Sequence, residues 1–263
     1  MLERVTRRVW VTTSPTWLTT STLVVADDGA CLLVDPTLTP ADLRALGREV
    51  TARGWHVTAA FSTHPHWDHV LWSDALPDVP RWATPAAAAA TSAEELTAQA
   101  AVDLPGHRWD VVGGTTPLPP DTTDLTWTGP HTVVVPTPGH APGHASLYLP
   151  DDGVLVAGDM LSDIEVPLLD DDDGAADDYR RALQRLADLT PGCAVVVPGH
   201  GRVADAEEAR RRIEADHRYL DDLTAGVAPL DPRLGDPRAR AEHEAQAARF
   251  TAPASPVSSP VDG

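Results

Sequence analysis

Cysteine is scarce in this chain, with only Cys31 and Cys193 among 263 residues. Each stands beside an apolar, strand-like run. Two buried thiols in a reducing compartment is the reading taken, with a single disulfide between them as the alternative. Positive charge is also in short supply: 20 Lys+Arg face 39 Asp+Glu, a net charge of −19. A surface of that sign repels phosphate backbones, which argues against nucleic acid as partner or substrate. No run reaches the roughly 18 apolar residues that a membrane span needs. The opening residues, MLERVTRRVWVTTSP, lack the apolar core and small-residue cleavage site of a signal peptide. The expectation is a cytoplasmic protein acting on a small molecule, with neither nucleic acid nor membrane as partner. Apolar residues make up 42%, too many for a disordered chain, and the length suffices for one sizeable core.

Short apolar runs alternate with helical patterns. Residues 7–13, 21–27 and 30–36 read as strands, the last two joined as a hairpin through Asp28-Gly29. Residues 40–54 read as a helix capped by Thr39 and stopped by Gly54, and 56–63 as a further strand. The Ala-rich stretch 85–102 reads as helix. Beyond a Pro/Gly/Thr-rich stretch (105–130), the runs HTVVVPT, SLYLP, GVLVAGD and AVVVPGH supply four strands, with a helix over 177–189. From about 205 the pattern is helical, with a second such stretch near 236–250. The expected organisation is a single α/β domain over residues 1–250, followed by a disordered Pro/Ser-rich tail at 251–263. The acidic run Asp170–Asp173 lacks the alternating ligands and distal Glu of a calcium loop and reads as solvated. Gly113-Gly114 has no GK[ST] ending and makes no phosphate loop.

The apolar strands share one habit at their C-terminal ends. TAAFST runs into His64, His66, Asp68 and His69; TVVVPTPG into His140; VLVAG into Asp159; AVVVPG into His200. In an α/β sheet, the carboxyl ends of strands gather along one edge, where sites are built. Pro65 keeps His64 extended, so His64 and His66, two apart, point the same way and can grip one ion. Asp68 falls where a helical turn begins, a position that favours a carboxylate. His69 points elsewhere, toward a second ion. Imidazole and carboxylate donors without a thiolate suit Zn²⁺, with Fe or Mn as alternatives.

The run HPHWDH resembles the H-x-H-x-D-H motif of the metallo-β-lactamase superfamily, and TPGHAPGH (137–144), AGDM (157–160) and PGH (198–200) follow in that family's order. The resemblance spans about residues 7–203. It implies a four-layer αββα sandwich with His64, His66 and His140 on one zinc ion. Asp68, His69 and His200 would hold a second, and Asp159 would bridge them. Asp35, in LLVDP, matches an Asp that supports the metal loop in many members. His144 is expected to support the site rather than ligate. The implied activity is a dinuclear metallo-hydrolase in which a metal-bridging hydroxide attacks a carboxylic ester, lactone or thioester, with Asp68 as catalytic proton acceptor. Trp17, Trp67 and Trp72 are expected to line an apolar substrate pocket. True β-lactamases of the family lack the bridging Asp. Glutathione thioesterases carry the same ligands, but add a basic helical domain for which the short acidic C-terminal part here is a poor match. A mononuclear iron persulfide dioxygenase and a small-molecule phosphodiesterase are the alternatives.

Overall fold

The strand sequences are apolar at successive positions, so both faces of each strand must be covered. The computed structural model describes residues 1–90 and 106–251. Strands β1 (Glu3–Arg4), β2 (Val9–Thr13), β3 (Thr20–Val25), β4 (Ala30–Val34), β5 (His56–Phe61), β6 (Arg81–Ala83) and β7 (Thr116–Pro117) form one sheet in that order. Helix α1 (Pro40–Ala52) connects β4 to its parallel neighbour β5, and α2 (Pro85–Ala90) follows β6. The second sheet runs β11-β10-β9-β8, from β8 (Val133–Pro136), β9 (Ala145–Leu149), β10 (Val154–Gly158) and β11 (Val195–Pro198). Helices α3 (Ala175–Leu189), α4 (Ala206–Thr224) and α5 (Pro237–Thr251) complete the order.

Alternation along the strands assigns each side chain to a layer. Leu23, Cys31 and Leu33 pack outward with Leu43, Leu46 and Val50 of α1. Their neighbours Val24, Leu32 and Val34 face the other way, onto Leu147, Val154 and Val156 of the second sheet. From that sheet, Leu155, Ala157 and Val196 turn outward onto Leu183 and Leu186 of α3 and Ile213 and Leu220 of α4. Helix, sheet, sheet and helix therefore stack as four layers around three apolar seams. Burying one Leu or Val in these seams stabilises by about 1.5–3 kcal/mol. Cys31 lies in the first seam and Cys193 in the last, both as free buried thiols, so they do not pair.

Local chemistry sets the joints. The β3–β4 hairpin turns at Asp28-Gly29, where Gly29 has φ +85° and Asp28 Oδ1 accepts the Ala30 amide at 3.0 Å. Helix α1 starts with a reciprocal cap: Thr39 Oγ1 accepts the Asp42 amide and Asp42 Oδ2 accepts the Thr39 amide, both at 3.1 Å. The short strands β1, β6 and β7 carry no alternating apolar pattern and lie outside the strands expected from sequence; they join the sheet by backbone pairing, and β6 also buries Ala83 and packs Trp82 on the inner seam. Of the helix expected over 85–102, residues 85–90 are helical, and positions 91–105 lie outside the described residues, as does the tail at 252–263.

The two sheets are joined directly at one edge. The Thr20 amide donates to Gly199 O at 2.8 Å, the Thr20 hydroxyl to Pro198 O at 2.6 Å, and the Gly201 amide to Leu18 O at 3.0 Å. Strand β8 is antiparallel to β9 and β9 to β10, while β10 and β11 are parallel, so β8, β10 and β11 all end on this edge. The parallel pair β4 and β5 ends there too. Among the described residues, no helix is long and apolar enough to cross a membrane.

Candidate metal centre

Each strand that ends on the shared edge delivers one or more polar side chains to the same point. Asp35 follows β4, His64–His69 follow β5, His140 follows β8, Asp159 follows β10 and His200 follows β11. Donor atoms of His64, His66, His140 and Asp159 lie within 4.8 Å of one another, as do those of Asp68, His69 and His200. The structure thus brings all seven expected ligands into two adjoining groups.

The hydrogen bonds on the far side of each ring fix its tautomer. His140 Nδ1 donates to Leu168 O at 3.0 Å and His200 Nδ1 to Trp17 O at 3.1 Å, since a carbonyl can only accept. His69 Nδ1 faces Asp35 Oδ2 at 3.1 Å. Thr63 Oγ1 donates to the same oxygen at 2.7 Å, which leaves it to accept from His64 Nδ1 at 3.0 Å. Asp35 therefore orients both His64 and His69, although it does not itself reach the centre. These bonds turn Nε2 of all four rings toward the Asp159 carboxylate. His69 Nε2 is 3.1 Å from Asp159 Oδ1; those of His64, His140 and His200 are 3.4, 3.4 and 3.5 Å from Oδ2. His200 Nε2 also lies 3.2 Å from Asp68 Oδ2 and 3.3 Å from His69 Nε2.

His64 Nε2 and Asp159 Oδ1 are buried with no hydrogen-bond partner among the described residues. A buried polar atom left unpaired costs roughly 1–3 kcal/mol, and a cation between the converging donors removes that cost. The residues fit a bound metal cation, with Asp159 facing both donor groups.

Two further residues shape the surroundings of Asp159. His144 Nδ1 bonds Thr137 Oγ1 at 2.8 Å, and its Nε2 accepts the Asp159 amide at 3.2 Å, so it steadies Asp159 from behind. Gly199 leaves room for it, because a Cβ there would stand 2.0 Å from Asp159 Oδ1. Backbone strain collects in the same place: Trp17, Leu18 and Asp35 have φ of +56°, +49° and +48°, values costly for residues with a Cβ.

A sequence model of the metallo-beta-lactamase superfamily matches residues 15–200, which include every donor described above. The chain belongs to the metallo-β-lactamase superfamily. A hydroxyacylglutathione hydrolase of Rhizobium johnstonii is 30% identical over 182 residues, 68% of this chain and 62% of that protein. Another, of Ruegeria pomeroyi, is 29% identical over 203 residues, 77% of this chain and 69% of that protein. The match thus spans less than two thirds of the Rhizobium relative's length. Among solved structures, a metallo-beta-lactamase family protein of Thermus thermophilus aligns over 92% of this chain and 93% of its own, with a TM-score of 0.68 and 24% identity. A beta-lactamase domain protein of Burkholderia ambifaria gives a TM-score of 0.67 at 20% identity, over 94% and 86%. These two likenesses concern the fold.

In this superfamily member the donors open into a cavity of about 460 Å³. Trp17 and Trp67 stand edge to face on its wall, with ring centroids 5.7 Å apart, and Leu168 adds an apolar side. Trp72 is a correction. Expected in the pocket, it is instead 5% exposed, packs in the core beneath α1, and carries Arg81 over its ring at 5.2 Å. The turn at Trp67–His69 sends Val70, Leu71 and Trp72 inward, away from the ligands.

Four lining residues escape a reading of the sequence: Glu165, Leu168, Arg238 and Glu242. Glu165 lies in the loop after β10, with Oε1 3.8 Å from His200 Nδ1, and it shares a potential donor group with Asp159 and His200. Arg238 and Glu242 project from α5. No motif marks Glu165, and an Arg–Glu pair four apart looks like any solvated helix face.

Protonation differs across the centre. Desolvation, reinforced by His69, holds His64 well below its ordinary value. His66 has one edge open to solvent, yet desolvation within the cleft and the His140 ring lower it to about 4. On the other side, desolvation is outweighed by carboxylates. Asp159, Asp68 and Asp35 push His69 well up, and Asp159, Glu165 and Asp68 push His200 up to about 10. Asp68 resists its own desolvation and falls to about 2 because His69 and His200 face it.

Proposed function

We propose that this protein is a dinuclear metal-dependent hydrolase of an activated acyl bond: a thioester, carboxylic ester or lactone. The observation that carries the reading is the pair of complete donor groups sharing the two oxygens of Asp159 at the floor of a half-apolar cavity. Zinc suits the imidazole and carboxylate donors, and iron or manganese can take the same set. Such ions, when bound, supply water acidified to a pKa of about 7 and a Lewis acid for the acyl oxygen.

The chain's own residues do the rest. Asp159 holds the two donor groups at a fixed separation. Asp68, kept ionised by His69 and His200, stands on the cavity wall where it can orient the attacking water and accept its proton. The Trp17–Trp67 wall and Leu168 exclude water from one side and seat an apolar acyl group. Asp35, Trp17 O and Leu168 O keep the imidazoles in the tautomers that ligation needs.

A mononuclear iron oxygenase would employ one donor group only, and the presence of two favours hydrolysis. Relatives named hydroxyacylglutathione hydrolase match this chain, which puts thioesters first among the acyl substrates. The free buried thiols support a reducing, cytoplasmic setting.

The test is Asp68→Asn, assayed with a panel of thioesters, aryl esters and lactones. At matched metal occupancy, kcat is expected to fall by about 10²-fold or more. Turnover that the substitution leaves unchanged removes Asp68 from the reaction. Cleavage of phosphodiesters in place of every acyl substrate sinks the acyl reading.

A further inference from the structure

The metal cavity does not end at its wall. A second cavity of about 530 Å³ adjoins it, and the two share Trp17, Glu165, Arg238 and Glu242. A substrate whose scissile bond sits at the metal donors therefore continues past these four residues into a second arm. That arm is built from Leu18, Ile164, Pro232 and Ala239 beside Trp17, an apolar lining for most of its body.

Charge in the arm is arranged against anions. Asp163, Glu165, Asp236 and Glu242 line it against two cations, Arg233 and Arg238. Arg233 is already consumed: it bonds Asp216 at 2.7 Å, Asp231 at 2.8 Å, and the carbonyls of Ser162 and Glu165 at 3.2 and 2.9 Å. Arg238 is held by Glu242 at 2.9 Å through Nε, lies 3.6 Å from Glu165, and stacks over Trp17 at 4.4 Å. The carboxylates are engaged as well, Asp163 by Arg202 at 3.1 Å and Asp236 by the Arg238 amide at 2.8 Å, yet four of them line the arm against two guanidinium groups, so an anionic group entering here loses its water against a net negative wall. An uncharged apolar group meets only the lining and gains by leaving water.

We infer that this second arm is the leaving-group subsite, and that it takes an uncharged, apolar-bodied leaving group in preference to an anionic one. The inference rests on the acyl-hydrolase reading and adds a selectivity opposite to that expected of a glutathione thioesterase. One substitution can weaken it. Ile164 is partly exposed on the arm's wall and has no polar role for its side chain, so Ile164→Lys places an added cation where the apolar body would lie.

The experiment compares three thioesters of the same acyl group on the zinc-loaded full-length chain: methyl, benzyl and glutathione. The benzyl compound should exceed the glutathione compound in kcat/KM by about tenfold or more, the scale that one well-filled apolar pocket supplies. Ile164→Lys should narrow that ratio by about tenfold while the methyl thioester, too short to reach the arm, changes little. Glutathione thioester turned over as well as or better than benzyl by the wild-type protein overturns the inference, as does a ratio that Ile164→Lys leaves unmoved. Loss of turnover with all three would strike the hydrolase reading instead. The subsite is then read by calorimetry with the matching thioether analogues: saturable binding of the benzyl analogue, tighter than that of the glutathione analogue, upholds it, and the reverse order or no binding overturns it.

Discussion

The two halves of the metal centre are built from nearly the same parts and behave oppositely. His64, His66 and His140 form an all-imidazole group whose first two members are pushed toward neutrality, His66 to about 4. His69 and His200, as deeply buried, are pushed the other way, His200 to about 10. Burial is the first cause in every case and lowers all four. What differs is the company: Asp35, Asp68, Asp159 and Glu165 converge on the second half, while the first sees chiefly other imidazoles and one face of Asp159. Ligand identity therefore does not set the electrostatics of a site like this; the count of carboxylates behind the ligands does.

The largest expected effect removes what the halves share. Asp159→Ala should leave protein with one bound ion or none, by elemental analysis, and lower kcat by more than the roughly 10–100-fold that loss of an outer partner brings. Two ions retained in a folded Asp159→Ala protein would mean that the halves are independent, and the bridging role would have to be given up.

A smaller effect should sharpen the contrast. Asp35 accepts from the Thr63 amide, the Thr63 hydroxyl and His69, and an amide side chain cannot accept all three. Asp35→Asn is expected to weaken the second ion by about 10–100-fold and the first by much less. Competition with a chelator, followed ion by ion, measures this; equal weakening of both ions would erase the distinction between the halves.

The smallest effect is one of protons. In the metal-free protein at pH 7, His69 and His200 lie below their raised pKa values and hold protons that an incoming cation must displace. Affinity of the second half should therefore rise with pH until about 10. His66 is already neutral above about pH 4 and His64 is held well below its ordinary value, so these two should show little dependence near neutrality. Calorimetric titrations in buffers of unlike ionisation heat read the proton release at each step. Identical release at both steps would contradict the contrast outright.

Sequence makes the ligands visible because each sits within a few residues of a strand end, where the local pattern changes abruptly from apolar to polar. Asp35 is visible because it ends a strand and matches the family pattern, and His144 because it follows His140 by four residues. Glu165, Arg238 and Glu242 are not, since their place in the cavity depends on α5 folding back across the sheet edge. That return is fixed by tertiary bonds with no local signature: Gln246 accepts the Leu169 amide at 3.2 Å and donates to Pro167 O at 2.8 Å, and Arg233 ties down the Glu165 loop. Trp72 is misplaced by proximity, because three residues beyond a ligand is already enough chain to turn into the core. Strands β1, β6 and β7 go unseen because two or three residues are too few to show a pattern.

The join between Thr20 and Pro198–Gly199 has a consequence for how the molecule assembles. These partners are 178 residues apart in sequence at the Thr20–Pro198 contact, so the seam at the metal edge is among the costliest contacts for the chain to find. His69 comes from one side of that seam and His200 from the other. An ion held between them would act as a clasp on one of the least local contacts in the protein, and its free energy of binding would add to folding in proportion to the logarithm of its concentration. Metal supply would then govern how firmly the halves of the sandwich stay shut, and chelation should loosen this edge before it loosens either sheet.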